Sequence, residues 1–120
     1  MKYIKKSERF IKSEVFVKGF RDAGAAVKEI AEYSKWVDLY NGGKVQAKLT
    51  IMCVDAQSVG GNVCYYMKDN LGMVACYPVN DLDEIKSWLK AHNYKTIKDW
   101  YIQDYGMSEE TWKEWNKSND

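Results

Sequence analysis

The spacing of apolar residues changes character along the chain, and each change marks an element. From Asp22 onward, Ala23, Ala26, Val27, Ile30, Ser34 and Val37 recur at steps of three and four, with Glu29, Glu32, Lys35 and Asp38 largely opposite them. Asp22 can act as an N-cap, and Asn41-Gly42-Gly43 supplies residues that tolerate positive φ at a helix end. The pattern predicts an amphipathic helix of about four turns. From Lys44 to Val54 the period drops to two, with Val45, Ala47, Leu49, Ile51 and Cys53 on one face and Gln46, Lys48, Thr50 and Met52 on the other. That alternation predicts a strand with one buried face.

Two further strands are expected at Val63-Cys64-Tyr65-Tyr66-Met67-Lys68 and Gly72-Met73-Val74-Ala75-Cys76-Tyr77, joined by a hairpin at Asp69-Asn70-Leu71. Short links between consecutive strands imply an antiparallel meander. Beyond it the pattern turns helical. Asp81 and Glu84 resemble a capping box ahead of the Leu82–Ile85–Leu89 stripe, which ends at Asn93. Thr96 can cap a second helix that turns Ile97, Trp100 and Tyr101 inward and stops at Gly106, and Ser108 can cap a third carrying Trp112 and Trp115. Residues 1–20 fit two patterns. Phe10, Val17 and Arg21 have helical spacing, Glu14-Val15-Phe16-Val17-Lys18 reads as a strand, and Gly19 and Gly24 oppose one continuous helix. An irregular or partly helical start is expected. The fold class is therefore α+β: an N-terminal amphipathic helix, a three-stranded antiparallel sheet over residues 44–77, and three short C-terminal helices on one sheet face.

At 120 residues, with a single proline and no repeat or low-complexity stretch, the chain is read as one globular domain, 1–120. No apolar run reaches membrane-spanning length, and the basic start lacks the apolar region of a secretory signal. Three widely spaced cysteines, Cys53, Cys64 and Cys76, suit a reducing compartment, so a cytoplasmic location is expected. The net charge of +1 is unevenly distributed. Residues 1–28 hold eight basic against three acidic residues, a net of +5, and the remainder holds ten against fourteen, a net of −4. A basic front on an acidic body suits an acidic partner, a nucleic acid, or simply a solvated segment that complements the body.

Each chemical signature has an ordinary structural counterpart. A cysteine nucleophile needs a lowered pKa and a base, but all three cysteines fall inside predicted strands and the one histidine, His92, ends a helix. A convergence of His92 with a cysteine or carboxylate is a matter for the tertiary structure. The cysteine and histidine set does not match a zinc site. Asp81, Asp83, Glu84, Glu109 and Glu110 sit in first turns of predicted helices, where acids are stabilised by the free N–H groups. Gly60-Gly61-Asn62 precedes a strand and lacks the Lys-Ser/Thr of a P-loop. No metal or cofactor is expected.

Aromatic content is the least ordinary feature: 5 Trp, 9 Tyr and 3 Phe. Bulky aromatics fill thin cores, but they also dominate binding hot spots. Trp88 lies off the apolar stripe of its helix and is expected to be exposed. With Tyr105, Trp112 and Trp115 it forms the candidate partner-binding set. The expected function is that of a small non-enzymatic binding protein acting through protein contact, with an inhibitor of a host defence enzyme carried by a phage or other mobile element as a special case. The alternative is a nucleic-acid or nucleotide binder using Lys5, Lys6, Arg9, Lys48, Tyr65 and Lys68, with Tyr65 and Tyr66 on opposite sides of their strand and one of them away from the helices.

Overall fold

The computed structural model describes residues 11–100, 102 and 106–118, with side chains up to residue 115. Its centre is a four-stranded antiparallel sheet in the order β1 (Ala26–Asp38), β2 (Lys44–Asp55), β3 (Val63–Asp69), β4 (Val74–Val79). Helix α1 (Ser13–Asp22) covers one face and α2 (Leu82–Ala91) the other. Helices α3 (Ile97–Asp99) and α4 (Glu109–Ser118) follow, with Trp100 and Ile102 after α3 in π-helical conformation. The α+β class and the antiparallel meander match expectation. The strand number, the first helix and the one-sided packing do not.

The main correction concerns residues 26–38, which form edge strand β1 rather than a helix. A bulge at Ile30 explains why the periodicity misleads. Val27 and Glu29 pair with Val54 and Met52, but past the bulge Ala31 and Tyr33 pair with Ile51 and Leu49. Directly opposed residues share a face, so the extra residue moves the odd-numbered positions from the α1 side of the sheet to the α2 side. Val27 packs into the α1-side cluster, while Ala31 and Tyr33 pack against the α2-side cluster. An alternation broken by one residue imitates steps of three and four. Asn41-Gly42-Gly43, expected to end a helix, instead turns the β1–β2 hairpin, with Gly42 at φ 86° and the Leu39 N–H donating to the Gly43 carbonyl at 2.6 Å.

The helix that precedes the sheet is α1, from the segment expected to be irregular. Val17 is buried, and Phe16 and Phe20, four residues apart, meet edge to face at 4.8 Å. Gly19 faces open space, so it costs propensity without breaking the packing. Phe16 also meets Tyr66 edge to face at 5.0 Å, and Tyr66 bonds Ser13 hydroxyl to hydroxyl at 2.7 Å.

Cover on both faces accounts for the run Ile51-Met52-Cys53-Val54, all buried, at one end of β2. Ile51 and Leu49 join Met67, Cys76, Ile85, Trp88 and Leu89 on the α2 side, and Met52 and Val54 join Val17, Tyr66 and Val74 on the α1 side. Pro78 falls on edge strand β4, where a missing N–H is tolerated. The C-terminal caps largely follow the sequence. Asp81 accepts from the Asp83 N–H rather than forming a box with Glu84, Thr96 and Asp99 form a reciprocal box, and Ser108 Oγ accepts from the Thr111 N–H.

Candidate functional site

β1 and β2 are much longer than their neighbours. β3 pairs with β2 only from Leu49 to Asp55, whereas the β1–β2 ladder runs on to Asp38 and Lys44. The five pairs from Ser34–Lys48 to Asp38–Lys44 thus extend past the four-stranded body, a reach of roughly 17 Å at the usual strand rise. The tip of this arm is apolar and open: Trp36 is 54%, Leu39 44% and Val45 43% exposed, and Tyr40 is fully exposed. Its charges are paired locally, Lys44 with Asp38 at 3.9 Å.

The base of the arm is held by a clasp. The backbones of Ser34 and Lys95 exchange two hydrogen bonds, at 2.8 and 2.9 Å, so the segment after α2 covers part of the β1 edge. Ser34 is buried, and its hydroxyl oxygen accepts from Trp100 Nε1 at 3.0 Å and from Gln46 Nε2 at 3.2 Å. Lys35 donates to the His92 carbonyl at 3.2 Å and lies over the Tyr94 ring, and Lys95 lies over the Trp100 ring. Burial, and then the charge of Asp99, raises the pKa of Tyr33 beside this clasp, and burial raises that of Tyr94. The arm is therefore held by hydrogen bonds at its root and open at its end.

Trp88, Trp112 and Trp115, singled out from the sequence, lie on α2 and α4 rather than on the arm. Trp88, expected to be exposed, is only 7% exposed; it packs in the α2-side core and stacks on His92 at 4.1 Å. The stripe drawn through Leu82, Ile85 and Leu89 was too narrow, because a helix lying on a sheet buries a wider face. Ile97, expected inward, is exposed. Trp112 is half-buried and Trp115 exposed on α4, their rings 5.5 Å apart, and Lys98 meets Glu109 at 3.8 Å between α3 and α4. Tyr101, Tyr105, Lys5, Lys6 and Arg9 lie outside the described residues.

Tyr65 and Tyr66 do point to opposite faces, but neither offers a free stacking platform. Tyr66 is fully buried under α1 and Tyr65 is half-buried against the α2-side core. Lys68 is held by Glu29 at 2.6 Å and Lys48 by Glu32 at 3.7 Å. Among the described residues of that set, Lys48 and Lys68 share one face of the sheet and Tyr65 lies on the other.

The cysteine chemistry runs against a nucleophile. All three thiols are free, Cys53 and Cys76 are buried, and burial pushes Cys76 up to about 11 and raises Cys64 as well. His92 is exposed at the end of α2, its Nδ1 2.8 Å from the Trp88 carbonyl. Among the described residues no group of three or more His, Cys, Asp or Glu could hold a metal, and no helix is long and apolar enough to cross a membrane.

Trp36, Leu39, Tyr40 and Val45 were missed by sequence reasoning. Their signal was four large apolar residues around an Asn-Gly-Gly turn, a density that neither a solvated helix end nor an ordinary loop requires. No protein-family model, curated protein or solved structure matches this chain.

Proposed function

We propose that the protein is a small binding protein that acts by contact with another protein, and that the β1–β2 arm is its contacting element. The carrying observation is the solvent-open Trp36, Leu39, Tyr40 and Val45 on a hairpin that runs past the rest of the sheet. Large apolar side chains at a protruding tip have no folding role to explain them, and Trp and Tyr are favoured where binding energy concentrates. With Lys44 and Asp38 paired to each other, the tip presents little net charge, so the complementary surface is an apolar cleft. Entry of such an arm into a cleft suits an inhibitor or adaptor. Inhibition of a host defence enzyme by a mobile-element protein is the special case, motivated by size and composition. The C-terminal Trp112–Trp115 pair is the competing surface on the same protein.

A photo-crosslinking residue placed at Tyr40 in extract of the native host, read by mass spectrometry, should yield a defined protein adduct that the same probe at exposed Lys18 on α1 does not. The Trp36→Ala/Tyr40→Ala variant should fold normally and bind that protein at least ~30-fold more weakly, the scale of a hot-spot truncation. A folded arm variant with unchanged affinity would sink the proposal, and loss confined to Trp112→Ala/Trp115→Ala would move the contact to α4.

A further inference from the structure

The basic excess of residues 1–28 has a place in the fold that is separate from the arm. Lys12, Arg21 and Lys28 come from three different stretches of that segment and line one groove, about 440 Å³, between α1 and the sheet, together with Lys68. Glu14 and Glu29 also line it, so cations outnumber acids by four to two. Glu29 is already engaged by Lys68. Lys12, Arg21 and Lys28 have no acidic partner within salt-bridge distance among the described residues. The excess of cations over acids leaves a net mutual repulsion, and an anion that enters among them relieves it.

Val17, Val27 and Met52 add apolar surface to the same groove. Beneath it lies the Ser13–Tyr66 hydroxyl pair. Burial pushes the Tyr66 hydroxyl up, and its bond to Ser13 and the charges of Lys68 and Arg21 pull it back, so both cations stand within electrostatic reach of this one buried hydroxyl. The volume falls in the range of small-ligand sites and is far larger than a lone phosphate needs. Cations beside an apolar patch fit a ligand with an anionic end and a flat, weakly polar body.

We propose that this groove binds a nucleoside phosphate, either as a free nucleotide or as a unit of a nucleic-acid strand, with Arg21, Lys28 and Lys12 on the phosphate oxygens and the base toward Val17, Val27 and Met52. Arg21 supplies the planar fork suited to phosphate, and the lysines act as point charges. The site shares Lys68 with the residues singled out from the sequence, but its Arg21, Lys28 and Lys12 are new to it, and Tyr65 and Lys48 do not line it.

The test is titration of ¹⁵N-labelled full chain at low salt with ATP, a deoxythymidine oligonucleotide and pyrophosphate. ATP or the oligonucleotide should shift the amides of Lys28, Glu29 and Gly72 saturably, and the tighter of the two identifies the source of the phosphate. The Arg21→Gln/Lys28→Gln variant, altered only at exposed positions, should keep its fold and weaken binding at least about tenfold, as expected when two charged contacts are lost. The Tyr40→Ala variant should bind as the parent does, which separates this site from the arm. No shifts with ATP or oligonucleotide up to about 1 mM, where affinity is only about 4 kcal/mol, would overturn the proposal. So would unchanged affinity in the folded double variant, or pyrophosphate binding as tightly as both nucleotide probes.

Discussion

The body of the sheet and its arm are made from the same two strands, yet they handle apolar residues in opposite ways. Between Leu49 and Val54, β2 is flanked by strands on both sides and covered by helices on both faces, so Ile51 and Val54 are almost wholly buried. A few residues away, beyond the reach of β3, Val45 and Trp36 stand open to solvent. Strand chemistry is similar in the two regions. What differs is the presence of neighbours, and apolar side chains without neighbours stay in contact with solvent.

The contrast is broken most severely by emptying the body. Leu89→Ala removes a fully buried side chain from the α2-side core and should cost about 2–5 kcal/mol in chemical denaturation, whereas Tyr40→Ala at the tip should stay within about 0.5 kcal/mol. If the tip substitution costs as much as the core one, the arm is packed and its exposure is not a property of the molecule in solution.

An alkaline titration sharpens the same contrast. Cys76 is fully buried and its folded pKa is raised to about 11, so the folded state holds a proton that the unfolded chain releases near pH 8.5. The contribution is intact below the unfolded pKa and is lost as pH rises toward the folded value. The loss should be on the order of 3 kcal/mol across that window. In Cys76→Ala the stability profile should be flatter between pH 8.5 and pH 11, relative to its own neutral value. An equally steep profile would place the effect in other groups, such as the buried Tyr66 hydroxyl.

The boundary between arm and body can be loosened at Ser34. Ser34→Ala strips the acceptor from Trp100 Nε1 and Gln46 Nε2 and should cost about 1–3 kcal/mol, with faster hydrogen exchange at the Ser34 and Lys95 amides. Unchanged exchange there would show that the backbone pairing alone holds the arm. The smallest effect is a gain. Gly19→Ala places a methyl group in open space on a helix and should stabilise the protein by about 0.5–1 kcal/mol, measured by thermal unfolding.

Much of the body was legible in the sequence. The Asp69 hairpin, the Thr96 and Ser108 caps, the Leu82–Ile85–Leu89 stripe and the clean alternation of β2 were all readable, because each depends on residues close in the chain. The arm was not, and neither was the cationic groove, whose Lys12, Arg21 and Lys28 come from the start of α1, its end, and strand β1.

Local spacing therefore determined the α+β class, the meander of β2, β3 and β4, and most of the C-terminal helix ends, since capping and alternation act over a few residues. Only the tertiary structure decided that residues 26–38 are a strand. There the helical and extended readings share the same apolar positions, and pairing with β2 across a bulge selects between them. Tertiary packing also decided which aromatics are buried. Trp88 is closed off by the sheet it lies on, while Trp36 and Tyr40 stay open because no third strand extends beside them.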